Sequence, residues 1–166
     1  MPVDETELVA SYGRVEKPLY NVLYRMLWSA EDCHDLIHDA YLRIWRQRAN
    51  TDASRIDALV YATAMNLARN RLRWRALRPW REVDDASLAD RSSAADPERS
   101  MATAELHAAL KRLPVPALQI VLLSEFSGMS VREIAVVLGI PEGTVGSRKN
   151  AAVRRLRRWL GEDDER

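Results

Sequence analysis

Several things are scarce in this sequence, and each scarcity excludes something. Cys33 is the one cysteine in 166 residues, which rules out an intramolecular disulfide framework and fits a reducing compartment. Six glycines and few β-branched runs argue against a nucleotide-binding sheet or a barrel. No run approaches the roughly 20 apolar residues of a membrane span, so no membrane insertion is expected. The opening residues are acidic, with Asp4, Glu5 and Glu7, unlike a signal peptide. Lysine is rare: Lys17, Lys111 and Lys149 stand against 22 arginines. Arg is favoured where forked contacts to phosphate or guanine are needed, although a GC-rich genome produces the same bias. Net charge is scarce too. The 25 basic residues face 24 acidic ones, a total of +1, which at first sight argues against a nucleic-acid partner.

What is present changes that view. Hydrophobic residues make up 47% of the chain, too many for wholesale disorder, and the length suits one domain or two small ones. The charge is segregated. Residues 66–81 hold six Arg and no acid, and residues 143–159 hold six basic residues and no acid. Between them, residues 82–98 carry Glu82, Asp84, Asp85, Asp90, Asp96 and Glu98 against Arg91 alone, and the tail Glu162 to Glu165 is wholly acidic. The near-zero total is a sum over blocks of opposite sign.

Helical signals dominate. Ser29 and Asp32 read as a variant capping box ahead of Cys33, Leu36, Ile37, Ala40, Tyr41, Ile44 and Trp45, one apolar face at helical spacing. That predicts a helix over 30–48, with Cys33 in the core rather than acting as a nucleophile. Leu19, Leu23, Met26 and Leu27 form a similar stripe before it. A third helix is expected to start after Ser54 and run to about Arg78, where Pro79 stops it. Residues 82–100 lose all aromatics and contain Pro97, the character of a flexible linker. Beyond it, one helix should end near Leu113, broken by Pro114 and Pro116, and another should run from about Ala117 to Gly128.

The stretch from Ser130 to Leu160 is the most informative. Ser130-Val131-Arg132-Glu133 is a full capping box before Ile134, Ala135 and Leu138. Gly139 suits the left-handed position that ends a helix, and Ile140-Pro141 makes the turn into the next one. That helix turns Val145, Ala152, Val153, Leu156 and Leu160 inward, and Thr144, Ser147, Arg148, Lys149, Asn150 and Arg154 outward. A short helix, a Gly-containing turn and a basic helix make a helix-turn-helix. Arg pairs bidentately with guanine and Asn with adenine, while Thr144 and Ser147 suit phosphate near the helix N-terminus. The plain alternative is a solvated helix hairpin packed on its domain. The expected fold class is all-α, with two small helical domains joined by a flexible acidic linker and a helix-turn-helix in the second.

The first basic block offers a second nucleic-acid face. Arg69, Arg73 and Asn66 share one side of the helix at steps of three to four, beside Asn70, Trp74 and further arginines. Amides, guanidinium groups and an aromatic suit partly unstacked bases. The helix over 30–48 starts with Glu31, Asp32, Asp35 and Asp39 and ends with Arg43, Arg46 and Arg48, a pattern that complements the helix dipole. The sharper reading is a protein-docking face of Asp35, Asp39, Leu42 and Arg43. His34 and His38 straddle Asp35 at zinc-peptidase spacing, but the only other histidine is His107, far along the chain. No metal site, cofactor or catalytic group is expected.

With these parts placed, residues 8–160 resemble the extracytoplasmic-function sigma factors of bacterial RNA polymerase. Asp35 to Arg46 (DLIHDAYLRIWR) is similar to the segment that docks the clamp helices of the β′ subunit. Ala64 to Arg73 (AMNLARNRLR) resembles the helix that recognises and melts the −10 promoter element. Leu113-Pro114, Gly128-Met129-Ser130, Glu133-Ile134-Ala135, Leu138 to Pro141 and Gly143-Thr144-Val145 resemble the −35-binding domain. There are departures. Gly146 stands where Lys is usual, Lys149-Asn150 where Leu-His is usual, Leu118 where Arg is frequent, and Leu59 where Trp is frequent.

The resemblance implies a domain over 1–81, a linker over 82–102, a helix-turn-helix domain over 103–161 and an acidic tail over 162–166. It implies core-polymerase contacts from Asp35, Asp39, Leu42, Arg43 and Arg46. It implies −10 contacts from Asn66, Arg69, Asn70, Arg73 and Trp74, with Tyr61 as a substitute aromatic and Asn50 and Arg55 in the loop that captures a flipped base. It implies −35 contacts from Arg132, Thr144, Ser147, Arg148, Lys149, Asn150 and Arg154. The implied partners are core RNA polymerase (β′ clamp helices and β subunit), promoter DNA and an anti-sigma factor, in the bacterial cytoplasm. A helix-turn-helix regulator that binds duplex DNA without polymerase is the rival reading.

Overall fold

The computed structural model describes residues 2–78 and 97–161. Within them the chain is a bundle of seven α-helices, with short 3-10 turns at Arg48–Asn50 and Ala53–Arg55. Helix α1 (Glu5–Leu27) starts at Asp4, whose side chain accepts from the Glu7 N–H while the Glu7 carboxylate accepts from the Asp4 N–H. Asp4 and Glu7, noted in the sequence only for their charge, thus close a capping box. Helix α2 (Ala30–Arg46) starts at Ser29 and α3 (Ile56–Ala76) follows the second 3-10 turn. Leu19, Leu23, Leu27, Cys33, Ala40, Val60 and Ala64 are fully buried where these three helices meet, so the stripes read from periodicity form the core.

Asp32 departs from expectation. Ser29 Oγ accepts from the Asp32 N–H at 3.2 Å, but the Asp32 carboxylate does not return to the cap. It receives Arg71 at 2.7 Å and Arg75 on its other oxygen, and Arg75 also donates to the Leu27 carbonyl. One carboxylate thus joins the start of α2 to the last turns of α3, and Asp is too short to do that and close a capping box as well.

The second unit comprises α4 (Pro97–Lys111), α5 (Val115–Phe126), α6 (Val131–Leu138) and α7 (Glu142–Trp159). Helix α4 already begins at Pro97, inside the stretch read as a linker. The rest of that stretch, residues 82–96, lies outside the described residues, as does the acidic tail. Pro114 caps α5 and Pro116 sits in its first turn, where a missing N–H breaks no helical bond, so the second proline starts a helix rather than breaking one.

The two units pack on each other. Every residue from Leu118 to Leu123 is buried, because α5 is apolar around its whole circumference and needs cover on all sides. Helix α1 supplies part of that cover and α3 packs against α6. The Gln119 side-chain amide, 2% exposed, donates to the Met65 carbonyl at 3.0 Å. Trp28 stacks on His107 with centroids 3.4 Å apart, and the Arg25 guanidinium lies 3.8 Å from the Phe126 ring centroid.

Candidate nucleic-acid interface

Helix α3 divides its polar residues among three directions. Asn66, Arg69 and Arg73 are exposed on one face, with Arg69 donating to Asn66 Oδ1. Asn70 and Trp74 turn toward α2 instead and line a cavity of about 270 Å³ with Asp35, Leu36, Asp39, Leu67 and Arg71. Arg71 and Arg75 are committed to Asp32. Tyr61, expected on the DNA face, is 6% exposed, and its hydroxyl donates to Ser127 Oγ in the second unit at 3.1 Å. Burial raises the Tyr61 pKa. Six arginines over 66–81 were read as one basic block; two of them are structural, because α3 must be held to α2 as well as face outward.

On α2, Asp35, Leu42, Arg43 and Arg46 are exposed and Asp39 is half-buried. Asp39 pairs with Arg43 one turn on, at 3.2 Å. The loop after α2 is anchored: the Val3 N–H donates to the Arg48 carbonyl at 3.2 Å. Thr51 Oγ1 donates to the Gln47 carbonyl at 3.0 Å. Asn50 and Arg55 are exposed along it. His34 and His38 flank a cavity lined also by Tyr12 and Tyr41. Among the described residues no three His, Cys, Asp or Glu side chains gather in a group able to hold a metal ion. Cys33 is buried.

The helix-turn-helix forms as its signals require. Ser130 and Glu133 close a reciprocal capping box, and Gly139 ends α6 at φ 65°, a left-handed conformation that favours glycine. Hydrogen bonds from Ser130 hold the Glu133 carboxyl below its usual pKa. Val145, Ala152 and Leu156 are buried on the inner side of α7. Ser147, Arg148, Asn150 and Arg154 are exposed, whereas Thr144 and Lys149 are half-buried. Ser147 Oγ donates to the Thr144 carbonyl at 3.2 Å, leaving its lone pairs outward. Arg132 is exposed on α6 but lines a groove of about 510 Å³ between the units, so α6 faces α3 while α7 presents its basic side to solvent.

An all-α protein of two packed units, the second a helix-turn-helix with an open basic helix, is a DNA-binding architecture. Residues 12–78 match the family model of Sigma-70 region 2, and residues 103–156 match that of Sigma-70, region 4. The chain is 34% identical over 155 residues to the ECF RNA polymerase sigma factor SigM of Mycobacterium tuberculosis, covering 90% of this chain and 75% of SigM. It is 30% identical over 154 residues to the ECF RNA polymerase sigma factor SigE of Mycolicibacterium smegmatis, covering 86% of this chain and 57% of SigE. In fold it is similar to CnrH in complex with the cytosolic domain of CnrY (TM-score 0.72, 19% identity, covering 97% and 92% of the two chains). It is also similar to the sigma factor RpoE in complex with the anti-sigma factor NepR from Bartonella quintana (TM-score 0.70, 18% identity, 93% and 97%). The chain belongs to the extracytoplasmic-function (ECF) sigma factors of RNA polymerase.

Proposed function

We propose that this chain is a promoter-specificity factor that joins core RNA polymerase and directs it to promoters, with no catalytic chemistry of its own. The observation that carries the reading is the pairing, in one chain, of region 2 and region 4 matches with two separate exposed basic faces. The α7 face of Ser147, Arg148, Asn150 and Arg154 enters the major groove at the −35 element, with Thr144, Lys149 and Arg132 at its margins. The α3 face of Asn66, Arg69 and Arg73 holds unpaired bases of the −10 element, offsetting a few kcal/mol of unstacking. Asn50 and Arg55 stand on the anchored loop beside it. The α2 face of Asp35, Asp39, Leu42, Arg43 and Arg46 docks the β′ clamp helices.

The domain limits proposed are 1–81 for the polymerase and −10 unit and 103–161 for the −35 unit, whose first helix reaches back to Pro97. The two structural neighbours are bound to CnrY and to an anti-sigma factor, which supports an anti-sigma partner for this chain too. No described helix is long and apolar enough to cross a membrane, in keeping with action on cytoplasmic polymerase. Run-off transcription with purified core enzyme tests the whole reading. A promoter-dependent transcript is expected, whereas tight duplex binding without a transcript would favour the polymerase-independent regulator.

A further inference from the structure

The −10 residues suggested by resemblance do not share one surface. Asn70 and Trp74 lie about 40° and 80° around α3 from Asn66, on the side toward α2, and with Asp35 and Asp39 of α2 they wall a cavity that none of Asn66, Arg69 and Arg73 lines. Trp74 is 60% exposed despite its size; the Arg78 guanidinium lies 5.6 Å from its ring centroid, so the indole already takes a cation on one face and has surface left for a partner. Arg71, the cation in that wall, is already paired with Asp32, and among the described residues Asp35 has no salt bridge. The open charge of the cavity is therefore negative.

We propose that this α2–α3 groove receives an arginine side chain from the protein partner, and that Asn70 and Trp74 belong to the polymerase-docking surface rather than to the DNA contact. This rests on the reading of the chain as a polymerase factor. A guanidinium group stacks flat on indole and forks onto carboxylate in one geometry, with the Asn70 carbonyl oxygen as a further acceptor and Leu36 and Leu67 beneath its methylene stem. A nucleobase fits the same space less well, because each base brings a phosphate that Asp35 repels, while Asp39 is already paired with Arg43. The docking face thus spans two helices and continues from Asp35 across to Trp74.

The test measures full-length chain binding to purified core polymerase, and separately the transcript yield at rising factor concentration. Trp74→Ala is expected to weaken core binding about tenfold, the scale of a desolvated cation–π contact, and its transcript yield should recover at saturating factor. Trp74→Phe should restore part of the affinity. Arg73→Ala, one residue away, should instead lower transcript yield at saturation. The inference is overturned if Trp74→Ala binds core normally, or if its yield stays low at saturation, which would place the indole on DNA. Asp35→Arg separates the two levels. If wild type binds core and Asp35→Arg does not, the functional reading stands whatever Trp74 does; if wild type fails to bind core, that reading fails first.

Discussion

Asp32 shows how much one carboxylate decides. It is 17% exposed and takes both Arg71 and Arg75, so Asp32→Ala leaves two guanidinium groups without their partner. A loss of about 2 kcal/mol is expected, read as a lower midpoint in denaturant, and an unchanged midpoint would show the pairs to be ornamental. Tyr41 gives a pH signature. Burial pushes its hydroxyl up to about 12, and Ser11 Oγ lies 3.2 Å away. The folded value lies above the unfolded one near 10, so this stabilisation is full below about pH 10 and is lost as pH rises toward 12. Tyr41→Phe should flatten the alkaline limb of stability against pH, followed by circular dichroism. At the DNA face, Arg148→Ala should cost about 1–3 kcal/mol and relax one base position of the −35 element. An equal loss on all sequences would reassign Arg148 to phosphate.

Elements were legible where local chemistry repeats. The Ser130–Glu133 box, Gly139 and the inner positions of α7 could all be read from residue type, because caps and turns depend on a few neighbours. Glu133→Ala should cost α6 about 1 kcal/mol. Because the folded Glu133 value is depressed, that contribution is present above the unfolded value and fades as pH falls through the folded one; thermal melts at pH 3 and pH 7 check it. The start of α5 was misjudged, since a proline pair reads as a break until the first turn is known to tolerate it. The faces of α3 were harder still. Arginines at alternating positions point all round a helix, so their roles depended on which neighbours lay beside them.

The linker read from composition suggested two modules free of each other, yet the described units share a contact through Gln119, Tyr61, Trp28 and Arg25. The signal for this contact was present in the all-round apolar α5, which a unit of some 60 residues is too small to bury by itself. A closed pair places α6 against α3, so reaching two separated promoter elements requires the units to part. Gln119→Ala removes a buried bond and leaves a void, and it should raise the radius of gyration of the free chain in small-angle scattering. An unchanged radius would show that the contact does not depend on that amide. Binding to promoter DNA within holoenzyme should still weaken with salt despite a total charge of +1, because roughly six neutralised phosphates give a log–log slope near −5.

The sequence alone determined the all-α class, the helix-turn-helix and the segregation of charge, because periodicity, capping and charge runs act between residues close along the chain; the family it carried only through the resemblance of its motifs. Tertiary structure decided which arginines of α3 are structural, that Tyr61 is buried between units, and that Asn70 and Trp74 face two aspartates of another helix. Those outcomes depend on neighbours 30 or more positions away, such as Asp35 to Asn70 or Tyr61 to Ser127. Identical side chains on one helix acquire different roles only when packing assigns each a partner.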